Sequence, residues 1–326
     1  MHQGWVVALA AFAFLSACGK PANIGRPEPL RIGFLADPLA SLLYIAQEKG
    51  MFQRRGLEVT FRDYEGGMYA VQDLRRGEIE VAVCTEYALM LQNFAKGDLR
   101  AIGTIATANN SEVIARTDRG IRQVEDLRGK KVGVSKGMNT EYLLGSFLAF
   151  YGLRLRDVQI ENLRPSALAA ALTSGSIDAA CLYPPYSYAA KADLGGQVVA
   201  WSAQGGQDYF FLLTTTTEIL RRRPAALKAL LAAALEAEEY LKRHGAEARE
   251  VLARRLDLAP ERLAEQMAQI RFEVGLHQEL LTMMEDEAHW AAANGAIASG
   301  TVPNLFQSLS LEPLEQLKPE AVGVIH

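Results

Sequence analysis

Cysteine is scarce in this 326-residue chain: only Cys18, Cys84 and Cys181 occur. This excludes a disulfide-stapled scaffold and the clustered thiols of a cysteine-rich metal or iron–sulfur motif. Histidine is almost as sparse, at His2, His244, His277, His289 and His326. No Gly-x-Ser-x-Gly, His-Glu-x-x-His or phosphate-loop signature is present. Glu285 and His289 share a helix face, but in so charged a helix they read as a solvated pair, and no metal or cofactor is expected. Neither sign of charge dominates, with 34 basic against 38 acidic residues and a net charge of −4. There is no basic stripe, which speaks against a nucleic-acid partner.

What is present is a repeat. Leu74-Arg-Arg-Gly-Glu-Ile-Glu-Val-Ala82 and Leu172-Thr-Ser-Gly-Ser-Ile-Asp-Ala-Ala180 both read Leu-x-x-Gly-x-Ile-acid-x-Ala. Each is a helix end, a glycine stop and a buried strand. Upstream, Arg31-Ile-Gly-Phe34 matches Lys131-Val-Gly-Val134, and Gly56-Leu57 matches Gly152-Leu153, at offsets of 100, 96 and 98 residues. Three anchors in one order are hard to obtain by chance. Each copy spells strand, helix, strand, helix, strand, hence parallel pairing through crossover helices. Two such units predict two α/β lobes facing each other across a cleft. Glu80 and Asp178 fall at strand starts and read as framework residues.

Along the chain, strands are expected at Leu30–Leu35, Leu57–Tyr64, Ile79–Cys84, Ala101–Thr107 and Glu112–Arg116. A short helix over Ile121–Gly129 leads into the second unit, followed by strands at Val198–Trp201 and Tyr209–Thr214. From Pro224 the composition turns to Ala, Leu, Glu and Arg, with Leu227, Leu230, Leu231, Ala234 and Leu241 at helical spacing. This late block shows no sheet of its own and is expected on the first lobe. The chain then crosses between lobes twice, near Ile114–Asp118 and Phe210–Thr215, and the two crossing strands form a hinge. The expected division is 1–17 signal peptide, 18–29 tether, 30–115 with 212–326 as lobe 1, and 116–211 as lobe 2. Cys84 and Cys181 end equivalent strands in different lobes and read as buried free thiols.

The apolar run Trp5–Ala17 is too short to span a bilayer, which takes roughly 20 residues, and has the length of a secretory signal core. Leu15-Ser-Ala-Cys18 looks like a lipobox, with Cys18 as the lipidated residue, although only His2 precedes the run where Lys or Arg is usual, so a plain secretory signal or an earlier start stays open. Gly19–Pro29 reads as a tether. The expected location is periplasmic or cell-surface, with the chain anchored to a membrane through Cys18.

In open parallel sheets, ligands lie at the carboxyl ends of strands beside helix N-termini. That rule selects Asp37 and Ser41 after the first strand, Tyr64, Gly66, Gly67 and Met68 after the second, and Thr85 and Glu86 after the third. In the second lobe it selects Ser135, Met138, Asn139 and Thr140, then Tyr183 and Tyr186, and Tyr209 near the crossing. The turn Ser135–Thr140 precedes a helix, so its N–H groups suit a negative ligand group, although Ser135 or Asn139 could simply cap the helix. The tyrosines suit a planar or partly apolar solute. Lys136 and Arg116 are the only evident cations near the cleft, so a larger organic solute fits better than nitrate or bicarbonate. A planar heterocycle and an organic anion such as a sulfonate both stay open.

Three stretches carry a family resemblance: Arg31–Phe52 with Arg55-Gly-Leu-Glu-Val59; Leu74–Ala82; and Val124–Val134 with Ala169–Ala179. They resemble the solute-binding proteins of ABC importers of the sulfonate, nitrate, taurine and thiamine-precursor type. The resemblance implies a type II periplasmic-binding fold, a small-molecule ligand, and a permease and ATPase as partners; a monomer is expected. Tyr183-Pro-Pro-Tyr186 stands where many relatives carry Trp-acid-Pro, so the acid is missing here. Two other functions are compatible with the fold. One is an enzyme of thiamine-pyrimidine or menaquinone synthesis, against which export and isolated cysteines argue. The other is a lipoprotein that senses a solute.

Overall fold

The computed structural model describes residues 26–298 and 302–325. The signal segment, Cys18 and most of the tether lie outside the described residues.

The first unit runs β1 (Glu28–Phe34), α1 (Ser41–Glu48), β2 (Leu57–Asp63), α2 (Gly67–Arg75), β3 (Val81–Thr85), α3 (Glu86–Ala95) and β4 (Leu99–Ala108). The chain then enters β5 (Glu112–Arg116) and the second unit: β6 (Lys131–Val134), α4 (Asn139–Phe150), β7 (Gln159–Asn162), α5 (Pro165–Ser174), β8 (Ala179–Leu182), α6 (Tyr186–Leu194) and β9 (Val198–Ser202). It returns through β10 (Tyr209–Thr216) to the helices α7 (Thr217–Arg222), α8 (Pro224–Arg243), α9 (Gly245–Leu256) and α10 (Pro260–Met267). The remainder holds β11 (Ile270–Arg271), β12 (Leu276–His277), α11 (Gln278–Ala293), α12 (Glu312–Glu315) and β13 (Val322–Gly323).

One sheet has the order β11-β4-β10-β3-β1-β2 and the other β7-β6-β8-β5-β9. Within each, the three repeat strands are parallel, and the next strand, antiparallel to them, arrives from the far side of a crossing. Each lobe is thus closed by a strand that the other lobe hands over. This is the two-lobed α/β architecture the repeat predicts.

The repeated residues make the same contacts twice. The Glu80 carboxylate accepts the backbone N–H of Arg31 at 2.8 Å, and that of Asp178 accepts the N–H of Lys131 at 2.9 Å. Gly33 leaves room for the end of Ile79, and Gly133 for the end of Ile177: a Cβ at either position would meet the isoleucine Cδ1 at 2.7 and 2.6 Å. Gly77 and Gly175 stop their helices at φ +73° and +77°, a left-handed conformation that costs glycine little.

The late helices pack on lobe 1 as expected. Leu227, Leu230 and Leu231 of α8 are fully buried, each contributing about 2 kcal/mol, and the helix lies against α1. Two details differ from the sequence reading. The block does have sheet structure: β11 extends the lobe 1 sheet beside β4, and β12 pairs with β13. Strands of two residues are too short for alternation to register. The helix expected over Ile121–Gly129 is a 3-10 turn at Val124–Leu127.

The crossings also differ. Glu112–Arg116 lies wholly in the lobe 2 sheet and Tyr209–Thr216 in that of lobe 1, so the chain changes sheets at 109–111 and 203–208. These segments are irregular, and a buried glutamine replaces the ladder between them. Gln204 accepts the Ser111 N–H at 2.8 Å and donates to the Ala108 and Gln207 carbonyls at 2.9 and 2.6 Å.

Cys84 and Cys181 are unpaired and buried, and burial pushes the Cys84 thiol up to about 12. Iodoacetamide is therefore expected to label neither in the native protein and both after unfolding without reductant. A single label on unfolding would contradict this arrangement.

Candidate functional site

The lobes meet at the carboxyl ends of β1, β3 and β8 and at the N-termini of α2 and α4. Between them lies a cavity of about 30 Å³ lined by Leu35, Leu39, Gly66, Gly67, Met68, Thr85, Ala88, Met138, Asn139, Tyr183, Tyr209 and Phe211. That is room for about one water molecule. The lobes are closed, and two methionines fill the space. Met138 of lobe 2 packs on Gly66 of lobe 1, where a Cβ would lie 2.6 Å from the thioether methyl. Met68 of lobe 1 packs on Gly137 of lobe 2, where a Cβ would lie 2.5 Å from the sulfur. Unbranched thioethers repack readily, so this filling is adaptable.

Eight of the residues selected from the sequence line the cavity: Gly66, Gly67, Met68, Thr85, Met138, Asn139, Tyr183 and Tyr209. The other seven do other things. Ser41 donates to the Pro38 carbonyl at 2.5 Å, and Ser135 to that of Leu163 at 2.8 Å. Tyr64 donates to Asp73 at 2.7 Å within lobe 1. The Thr140 hydroxyl is buried without a partner among the described residues. Tyr186 stacks edge-on against Tyr183, with ring centroids 5.6 Å apart. Glu86 accepts the Phe210 N–H at 2.7 Å and lies against Glu287 of α11. Asp37 sits between cavity-lining Leu35 and Leu39, where its carboxylate accepts the Leu39 N–H at 2.9 Å.

Leu35, Leu39, Ala88 and Phe211 were not selected. The alternation of β1 and β10 marks Leu35 and Phe211 only as buried, without saying which layer they face. Glu65 was also missed. Its carbonyl accepts the Tyr183 hydroxyl at 2.9 Å and the Tyr186 hydroxyl at 3.4 Å, and its carboxylate pairs with Arg164 at 3.0 Å and Ser166 at 3.1 Å. This one residue of lobe 1 thus holds four groups of lobe 2. On the flank, Trp290 of α11 lies on Gly145 of α4 and meets Tyr142 and Tyr87 edge-on, with centroids 5.6 and 6.4 Å away.

Three N–H groups of the turn before α4 are already taken within the chain, whereas those of Asn139 and Thr140 have no acceptor among the described residues. The Gly137 N–H donates to Glu141 at 2.8 Å, the Lys136 N–H to Asn162 at 3.0 Å and the Met138 N–H to the Ser135 carbonyl at 3.3 Å. An acid at the third helical position was the signal for this, as in half a capping box. Nor do the two expected cations serve the cleft. Lys136 is exposed, and Arg116 binds Asp118 at 2.7 Å and the carbonyls of Leu172 and Thr173. Among the described residues no lysine or arginine lines the cavity.

Two lobes joined by paired crossings around a central cavity define the type II periplasmic-binding fold. Residues 38–248 match the family described as NMT1/THI5 like, and the chain belongs to that family. A protein of Brucella abortus (strain 2308) named as a binding protein is 33% identical over 189 residues, 58% of this chain and 57% of the relative. The taurine-binding periplasmic protein of Escherichia coli (strain K12) is 28% identical over 200 residues, 61% of this chain and 59% of the relative. The chain therefore matches less than two thirds of the length of these relatives. Among solved structures, the alkanesulfonate-binding protein of Xanthomonas axonopodis pv. citri bound to MOPS shares the fold. Its TM-score is 0.74 at 20% identity, covering 88% of this chain and 99% of that one.

Proposed function

We propose that this protein is the extracytoplasmic solute-binding component of an ABC importer, tethered to a membrane through Cys18, and that it captures an organic solute between its lobes. The observation that carries the reading is the cavity itself. It is lined from both lobes at strand and helix ends, is closed by contacts that cross between lobes, and lies beside two irregular crossing segments able to act as a hinge. The solute docks on one lobe, displaces Met68 and Met138, and is enclosed as the other lobe closes. Closure follows from a higher affinity of the solute for the closed state.

Binding without chemistry suits the residues present. The thiols of Cys84 and Cys181 are buried, and burial raises both, which makes them poor nucleophiles. A planar, partly apolar solute suits Tyr183, Tyr209, Phe211 and the two thioethers. A sulfonate, the ligand class in the names of several relatives, would meet no lysine or arginine among the described cavity-lining residues and would find the Gly137 N–H already taken by Glu141.

A thermal-shift screen of heterocycles, aromatic acids, amines and sulfonates checks this reading. A solute at 100 times its dissociation constant should add about 2.7 kcal/mol of stability, and small-angle scattering should show its complex as the compact form. A tight ligand that leaves the scattering profile of an open population unchanged would contradict capture by closure.

A further inference from the structure

Resting on the reading that Cys18 tethers the chain to a membrane, we propose that a basic hollow at the base of lobe 1 docks on the phosphate groups of anionic phospholipid. The hollow holds about 540 Å³. It lies below the amino end of the lobe 1 sheet, where β4 begins and β10 ends, and the solute cavity lies at the other end. It gathers three cations, Arg100, Arg221 and Lys228, with the hydroxyl residues Thr217 and Ser310. These come from distant stretches of chain, so no basic run in the sequence announces them.

The state of the charges sets this hollow apart. A second hollow, of about 660 Å³, adjoins it at Thr217 and carries Arg75, Lys96, Arg222 and Arg223. Each of those four is neutralised. Asp98 pairs with Arg75 at 2.9 Å and Lys96 at 2.7 Å, Glu218 with Arg222 at 3.0 Å, and Glu28 with Arg223 at 2.6 Å. In the basic hollow no cation meets an acid among the described residues. Arg100 donates to the carbonyls of Gly97 and Leu99 at 3.0 and 2.7 Å, and Lys228 to the side-chain carbonyl of Gln316 at 3.0 Å. The Arg221 guanidinium has no partner among the described residues. Glu312 also lines the hollow, but it accepts from Gln316 at 2.9 Å and pairs with none of the three. Three uncompensated cations on a chain of net charge −4 make a local field that attracts anions, and a guanidinium fork matches phosphate oxygens.

The path of the chain decides which phosphates reach the hollow. Arg223, next to hollow-lining Pro224, holds the Glu28 carboxylate and donates to the Pro29 carbonyl, so the chain enters β1 beside this face. Only eight positions separate Cys18 from Arg26, a reach of about 28 Å at full extension. A lipid on Cys18 therefore keeps the hollow near a bilayer, where headgroup phosphates are concentrated. β1 has seven residues, roughly 23 Å, and the cleft lies at its far end. Docking at the base thus leaves the cleft facing away from the bilayer and open to solute.

The test is sedimentation of the mature chain, produced with Cys18→Ser so that no lipid contributes, with two kinds of vesicle. One contains phosphatidylglycerol and phosphatidylcholine in equal parts, the other phosphatidylcholine alone. The chain is expected to bind the anionic vesicles at low salt, to be released as ionic strength rises, and to ignore the neutral ones. Each cation is worth about fivefold in binding, so Arg221→Gln with Lys228→Gln should weaken it about 25-fold. Arg154→Gln with Arg156→Gln removes the same charge from lobe 2 and should leave binding within about twofold. Melting curves verify that both variants fold. The proposal is overturned if neither vesicle binds, if neutral vesicles bind equally well, or if the two double variants lose equally. It is also overturned if glycerol 3-phosphate binds the chain calorimetrically while anionic vesicles do not, which would assign the hollow to a free phosphate ester. The tether is tested separately by the mass of the chain recovered from membranes. An unmodified Cys18 would remove the anchor and leave the vesicle result standing, and solute capture depends on neither outcome.

Discussion

Gly67→Ala is expected to cost about 3 kcal/mol and to lower the melting midpoint by roughly 5 °C. Gly67 is the first residue of α2, where the helix runs onto the end of β3. A Cβ there would lie 2.4 Å from Cys84 Cα, 2.6 Å from Cys84 Cβ and 2.9 Å from the Val83 carbonyl oxygen. Two of these atoms are backbone of a central strand held on both sides, by β1 and by β10. They cannot move aside, so the helix must, and it carries Ala70, Val71 and Leu74 of the core with it. Gly66→Ala should act quite differently. Its Cβ would meet the flexible end of Met138, at 2.6 Å, across the cleft. The thioether can swing aside, so the fold should melt almost as the unaltered protein does and the radius of gyration should stay the same. Differential scanning calorimetry on the two variants separates the effects, and small-angle scattering checks that the size is kept. Equal melting of Gly67→Ala and the unaltered protein would show that α2 is not seated on β3 as described.

The contrast between these adjacent glycines indicates what sequence alone could convey. Within a lobe the determinants are local and repeated. The acid that receives the first strand's N–H, the isoleucine over its glycine and the left-handed helix stop all fall inside one pattern, and its second copy makes that pattern visible. Between lobes nothing repeats. Asn109-Asn110 announces a turn with equal strength whether the chain re-enters the same sheet or leaves for another, so the crossings were placed several residues too late. The pairing of Met68 with Gly137 and of Met138 with Gly66 depends on how the two lobes face each other, which no periodicity encodes.

The candidate site divides along the same line. Residues at strand and helix ends were legible because topology alone directs them to the cleft, and Gly66, Met138 and Tyr183 are there. Whether a given side chain turns toward the cavity or back into its own lobe depends on its partner. Tyr64 turns back to Asp73, and Ser135 to the Leu163 carbonyl. The role of Glu65 rests partly on its backbone carbonyl, a group every residue carries, so its identity gave little indication of it.

Glu287→Gln is expected to stabilise the protein by about 1–4 kcal/mol near pH 8 and to change little near pH 5. Glu86 begins α3 and Glu287 lies on α11; both are fully buried, and their carboxyls lie beside each other. Glu86 Oε2 accepts the Phe210 N–H, whereas Glu86 Oε1 and Glu287 Oε2 have no donor from the chain. Asp286 adds negative charge beside Glu287, and among the described residues no lysine or arginine pairs with either acid. Two carboxylates cannot both ionise there, so the pair retains a proton; burial raises both groups above the ordinary carboxylate range, and the charge of Glu86 raises Glu287 further. Their folded-state pKa values exceed those of the unfolded chain. The stability they contribute is therefore fully present below the ordinary glutamate value and is lost as pH rises through the raised folded values. Glutamine at position 287 supplies an N–H toward Glu86 at every pH and removes the second charge, so the loss on the alkaline side should disappear. Melting curves of the two proteins across this range should diverge steadily with pH, the variant lying higher. A variant that melts lower at every pH would mean that the two acids do not share a proton and that Glu287 is held by another partner.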